Sequence, residues 1–265
     1  MFWIRFRSSV IIMVITILSV VAGGNLLLTA TLAISLIGVM ELLRIFKVHN
    51  TIIGGVGYIG SIAYYFMLLL GWEEHLVLML ILYLLLIMTV YVLSYPKYNT
   101  EQITIVFFSL FYVAIMLSFI YRTRMLEGGA YLVWLIFISA WGSDTCAYLV
   151  GSRIGKHKMT PKLSPKKSIE GLFGGIIGAA LIGFIFATIF KNQIAGVTHP
   201  QLAYTIIGGC GSIISQIGDL AASAIKRNHE IKDYGKLIPG HGGVLDRFDS
   251  IIYTAPIVFY LASVL

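Results

Sequence analysis

Residues 10–43 read VIIMVITILSVVAGGNLLLTATLAISLIGVMELL, an apolar run with a single acidic residue and one small-residue interruption at Gly23, Gly24 and Asn25. As one helix it would extend about 50 Å at the usual rise of about 1.5 Å per residue, well beyond a hydrocarbon layer of about 30 Å. The glycine pair supplies a break, so the stretch reads as two short helices forming a hairpin. Further apolar runs of roughly spanning length follow at 52–71, 76–93, 103–121, 130–150, 172–190 and 202–218, with a shorter uncharged run at 250–264. The fold expected is all-α and polytopic, with about nine transmembrane helices and a polar cavity on the cytoplasmic side.

Composition requires a bilayer before any span is assigned. The 265 residues are 58% hydrophobic and 12% charged, and the mean hydropathy is +0.90, more apolar surface than a soluble domain buries. The apolar pattern runs on from the first segment with no cleavage-site signature, so that segment is expected to be retained. Cys146 and Cys210 both fall in apolar runs and do not form a disulfide framework.

The distribution of lysine and arginine orients the chain. With nine spans and the N-terminus inside, the cytoplasmic side holds Arg5, Arg7, Arg44, Lys47, Lys97, the six cations between 151 and 170, and the five between 219 and 249. Only Arg122, Arg124 and Lys191 fall outside. Reading 10–43 as a single span moves Arg5 and Arg7 outside and fits less well, though both polar loops stay cytoplasmic. The net charge of +7 suits anionic partners, and juxtamembrane contact with lipid headgroups accounts for it equally. The chain divides into an N-terminal transmembrane region, 1–125, of about five spans. A C-terminal transmembrane region, 126–265, carries a basic loop at 151–170 and a polar loop at 219–249.

Small residues crowd two late spans, GLFGGIIGAALIG from Gly171 and IGGCGSIISQIG from Ile207. Such spacing lets backbones approach closely in lipid, for helix packing or a homodimer, or with close packing that leaves room for a substrate cavity beside it.

The chemistry-bearing residues gather near the cytoplasmic boundary. Asp144, in AWGSDTCAYLVG, lies where an ionised carboxylate requires a partner or a wet cavity. In SPKKSIEG, Lys166 and Lys167 precede a helix start marked by Ser168 and Glu170, where free N–H groups suit phosphate oxygens. Asp219, Ser223, Lys226 and Arg227 fall at i, i+4, i+7 and i+8, on one helical face. The stretch KDYGKLIPGHGGVLDRFDS, 232–250, joins six charged residues to His241 and the glycines Gly235, Gly240, Gly242 and Gly243. It reads as a phosphate cradle. Asp246 and Asp249 follow three apart, on the first turn of the last helix. A few aspartates among cations suit Mg²⁺ held jointly with substrate phosphates. Scattered histidines and intramembrane cysteines disfavour zinc, and no GxxxxGK[ST] or GxSxG motif is present.

These residues resemble the phosphatidate cytidylyltransferases, or CDP-diacylglycerol synthases. From Ser223, SAIKRNHEIKDYGKLIPGHGGVLDRFD is similar to the family pattern at Ser223, Lys226, Arg227, Lys232, Asp233, Gly235, Pro239, His241, Gly242, Gly243, Asp246, Arg247 and Asp249. DTCAYLVGSRIGK and SPKKSIEG extend the resemblance over roughly 140–255. It departs at Ala222, where many members carry an acidic residue.

The resemblance implies transfer of CMP from CTP to phosphatidate, giving CDP-diacylglycerol and pyrophosphate in a bacterial inner membrane, with the active site facing the cytoplasm. It implies Asp219 and Asp246 as principal metal ligands, with Asp144 and Asp249 as further carboxylates around Mg²⁺, expected as two ions. Lys226, Arg227 and Arg247 are the expected catalytic cations. Lys166, Lys167, Ser223, Lys232, His241, Gly242 and Gly243 are the expected substrate contacts. Partners expected are CTP, phosphatidate and membrane lipid, with no nucleic acid, and a homodimer formed through small-residue helix faces. A CTP-dependent lipid kinase would use similar chemistry and release CDP. A transporter would explain Asp144 but leave the polar signature without a task.

Overall fold

The computed structural model describes residues 2–240 and 242–264, with side chains described for all of these except residues 2, 4, 5 and 6. Among the described residues the chain forms nine helical rods and one two-stranded hairpin. The rods are α1 (Phe2–Ala22), α2 (Gly24–Ile45), α3 (Ile52–Leu69) and α4 (Leu76–Leu93), α5 (Thr100–Met125) and α6 (Gly129–Ile154), then α7 (Ile169–Ile189), α8 (Pro200–Asn228) and α9 (Leu245–Val264). Six of them, α2 to α7, are long and apolar enough to cross a membrane.

The expected break in residues 10–43 lies at Gly23. There φ is +65°, and +48° at Gly24, values that glycine tolerates and most residues do not. The second helix is not short: α2 has 22 residues, a full crossing. Other boundaries follow from local capping. Thr51 accepts from the Gly54 N–H at the start of α3, Asn99 and Gln102 form a reciprocal capping box at α5, and Pro200 opens α8 without losing a needed donor.

The structure departs from the expected basic loop at 151–170. Helix α6 runs to Ile154, and β1 (Lys158–Thr160) then pairs antiparallel with β2 (Ser164–Ser168). Backbone bonds from Leu163 to Thr160 at 3.1 Å and from Ile169 to His157 at 2.9 Å close the turn and the base. Pro161 and Pro165 block helix here but leave these bonds possible, since neither N–H is needed.

The chain divides into two compact units, residues 1–118 with 233–247, and residues 119–232 with 248–265. In the first, buried hydroxyls on apolar helices satisfy one another: Ser35 with Tyr65 at 2.8 Å, Tyr64 with Ser118 at 2.8 Å, and Tyr83 donating to the Val106 carbonyl at 3.0 Å. In hydrocarbon an unpaired hydroxyl has no water to turn to, so such pairs fix helix neighbours. In the second unit, α7 lies against α6 and α8 through its small residues. A Cβ at Gly174 would lie 2.5 Å from Val150 Cβ, and one at Gly208 would lie 2.8 Å from the Ala179 carbonyl oxygen. The small-residue rows of α7 and α8 therefore meet helices of the same chain, the close packing expected of them.

Candidate active site

The second unit contains a cavity of about 320 Å³ whose polar lining includes Asp144, Lys166, Lys167, Ser168, Gln216 and Asp219. Three elements deliver these groups. Helix α6 contains a π-helical segment, Ile138–Gly142, immediately before Ser143 and Asp144. The hairpin's second strand carries Lys166 exposed and Lys167 half-buried. It ends at Ser168, which caps α7 by accepting from the Gly171 N–H at 3.1 Å. Helix α8 brings Gln216 and Asp219, one turn apart on the same face.

Lys167 Nζ lies 2.6 Å from Asp219 Oδ2, with 22% and 28% of the two side chains exposed. Two turns along α8, Lys226 Nζ lies 4.0 Å from Asp249 Oδ2 on α9. Asp249 also lies close enough to Asp219 and Asp144 for their charges to act on it. Three carboxylates and two ammonium groups thus share one neighbourhood, a charge alternation that phosphate oxygens and a cation can enter by exchanging partners. Ser223 is half-buried on the same helix, whereas Arg227 and Lys232 are exposed.

The first unit holds the glycine-rich loop. Asp246 is buried and its Oδ2 accepts from the Tyr234 N–H at 2.7 Å and the Gly243 N–H at 2.9 Å. Ile238 donates to the Gly242 carbonyl at 2.9 Å. Gly242 has φ +88°, and a Cβ there would lie 2.9 Å from Asp246 Oδ2, so the turn requires glycine. Arg247 is half-buried on the first turn of α9. The expected substrate contact His241 lies outside the described residues.

Three features escaped the sequence reading. Glu41 on α2 is 1% exposed, and its two oxygens accept from the N–H groups of Val244 at 3.0 Å and Leu245 at 2.8 Å. Gln216 donates to the Leu172 carbonyl at 3.2 Å, a residue that its position one turn before Asp219 could have marked. Ser143 and Ser212 pair at 2.6 Å between α6 and α8.

Mg²⁺ fits the donors of the second unit. They are carboxylate oxygens with no thiolate or imidazole among them, the hard-ligand chemistry that Mg²⁺ takes. Among the described residues, no three His, Cys, Asp or Glu side chains cluster tightly enough to hold a metal by themselves. A shell of one or two carboxylates completed by water and phosphate is the Mg²⁺ pattern, distinct from an all-protein cage.

Residues 3–265 match the cytidylyltransferase family. Among similar proteins, a phosphatidate cytidylyltransferase of Staphylococcus epidermidis is 32% identical over 260 residues, 96% of each chain. One of Staphylococcus aureus strain COL is 31% identical over 262 residues, again 96% of each. A phosphatidate cytidylyltransferase of Bacillus subtilis is 33% identical over 180 residues, 68% of this chain and 65% of that protein. With its signature spread over both units and matched along nearly the whole length, the chain belongs to the cytidylyltransferase family.

Proposed function

We propose that the cavity lined by Asp144, Lys166, Lys167 and Asp219 is where the chain, a CTP:phosphatidate cytidylyltransferase by family and full-length relatives, performs its transfer. The products are CDP-diacylglycerol and pyrophosphate. The observation that carries the reading is the Lys167–Asp219 pair at 2.6 Å in a cavity at the end of apolar helices. A lipid headgroup can enter such a cavity while its acyl chains remain among the helices.

The phosphatidate phosphate is its own nucleophile. A phosphate monoester has a second pKa of about 6, so the group is largely dianionic at neutral pH and needs no general base. One of its oxygens bonds to the α-phosphorus of CTP as the bond to the β-phosphate oxygen breaks, and pyrophosphate leaves. The obstacle is repulsion between two polyanions, which fixed cations relieve by positioning and charge. Lys166 and Lys167 meet the phosphatidate headgroup, and Lys226, Arg227 and Arg247 neutralise the nucleotide phosphates. Ser223, Lys232 and His241 are further substrate contacts, and the Gly242–Gly243 backbone gives the phosphates close approach. In the second unit Asp219 would hold Mg²⁺ together with water and phosphate oxygens, with Asp144 and Asp249 as further carboxylates; in the first unit Asp246 is the expected ligand. Bound Mg²⁺, two ions by expectation, would supply charge neutralisation at the α-phosphate and on the departing pyrophosphate.

With nine spans, the six apolar helices α2 to α7 among them, the N-terminus and both polar segments would lie on the cytoplasmic face of a bacterial inner membrane. Cysteines substituted at Lys158 and Lys236, after removal of Cys146 and Cys210, should react from the same side, and opposite accessibility would break this topology. The reaction is tested with purified protein, phosphatidate and labelled CTP. Labelled CDP-diacylglycerol with equimolar pyrophosphate is expected, whereas release of CDP would make the chain a lipid kinase.

A further inference from the structure

We infer that Glu41 is a positioning residue for nucleotidyl transfer, a buried carboxylate that sets the glycine-rich loop from a helix two hundred residues upstream. This rests on the reading that residues 233–247 take part in the reaction.

Glu41 lies near the end of α2, 1% exposed, and close enough to Asp246 and Arg44 for their charges to act on it. A carboxylate there is costly unless hydrogen bonds offset its desolvation. Two are present, one to each oxygen, from Val244 and Leu245. These N–H groups belong to the start of α9, where no carbonyl of the same helix is available to them. A negative group at a helix N-terminus is favourable in itself.

The loop is shaped around this carboxylate. A Cβ at Gly243 would lie 2.5 Å from either Glu41 oxygen, and one at Gly235 would overlap Oε1. Consecutive amides are divided between two acids: Gly243 donates to Asp246, and Val244 donates to Glu41. The turn holding Gly242 is therefore clamped between them. Asp246, which starts no more than a residue after the second amide bound by Glu41, takes its direction from that clamp.

The arrangement needs two acceptor oxygens. Glutamine at position 41 fills the same volume but offers one acceptor, and its NH₂ group would face a second donor. One buried N–H would be left unpaired, and the loop would open locally before the protein unfolds.

The test uses the full chain in detergent, comparing wild type with Glu41→Gln and Glu41→Asp. Three readings are taken: amide hydrogen exchange over 233–247, kcat and KM for CTP across Mg²⁺ concentrations, and the thermal midpoint. For Glu41→Gln, exchange in 233–247 should quicken about tenfold or more while exchange in the second unit holds. The kcat should fall roughly 100-fold, as expected for a reacting group displaced by about 1 Å. Glu41→Asp, which keeps both acceptor oxygens on a shorter stem, should recover part of kcat.

Unchanged exchange in 233–247 overturns the proposal. So does faster exchange with wild-type kcat, or a kcat loss accompanied by an even rise of exchange along the whole chain. If Glu41→Gln does not accumulate, the same readings on Glu41→Asp decide. If Asp246→Asn keeps wild-type turnover while Glu41→Gln loses it, the reading of Asp246 as a ligand fails and Glu41 stands as the residue that positions the Gly242–Gly243 backbone.

Discussion

Asp219 and Asp246 differ most in what neutralises them. Asp219 faces the ammonium of Lys167, at the end of a flexible stem, and 28% of its side chain is exposed. Asp246 is 7% exposed and receives two backbone N–H groups that no rotamer change can withdraw. A lysine can swing to a phosphate and release its carboxylate to a cation; an amide N–H moves only with the chain. On the proposed reading the first carboxylate exchanges partners during the reaction, and the second also holds a shape.

The largest effect should therefore come from Asp219→Asn, which removes charge from the exchangeable position at nearly constant volume. We expect a loss of roughly 10³-fold in kcat with the thermal midpoint close to wild type. Asp246→Asn should lose turnover and also soften the loop, since a charged acceptor of two buried N–H groups is replaced by a neutral one at about 1–3 kcal/mol. Thermal unfolding and hydrogen exchange in the same detergent separate the two variants. Equal stability losses would erase the contrast between them.

Gly242→Val sharpens the loop side of the comparison. At φ +88° a β-branched residue is strained, and its Cβ would crowd Asp246 Oδ2. Turnover should fall about 100-fold with the helices intact, measured as initial rate against CTP and Mg²⁺. The smallest effect belongs to Lys236→Ala. That side chain is exposed, and screened surface charges contribute little, so kcat/KM should stay within about twofold. An inactive Lys236→Ala beside a normal Gly242→Val would make the loop a charge patch whose geometry is incidental.

Much of the helical frame was legible because its signals are local. The pause at Gly23 and Gly24, the cap at Ser168 and the apolar runs each declare themselves within a few residues. The hairpin at 158–168 was not legible. Its lysines and prolines have low strand propensity, and its pairing depends on the turn at 160–163 and on the fixed ends of α6 and α7. The role of Glu41, the single acidic residue of 10–43, was hidden for another reason. It interrupts no periodicity worth noting in residues 10–43, and its partners lie 203 and 204 residues away. The face carrying Asp219, Ser223 and Lys226 was readable from helical spacing alone, but spacing could not say that Lys167 would meet Asp219 or that Lys226 would approach Asp249.

The π-helical segment Ile138–Gly142 bears on which insertions and deletions α6 can accept. A π-turn holds one residue more than regular α-helix, and each residue turns the helix by about 100°. Deleting a single residue within 138–142 would restore regular winding and lengthen no loop, a change that looks benign in any alignment. Because the π-turn absorbs that extra residue, its removal would leave the flanking faces close to their present orientation, whereas deleting one residue from the regular turns on either side would rotate Asp144 by about 100° relative to the rest of α6 and away from the cavity it lines. Along this helix, chain length is as much a part of the site as residue identity.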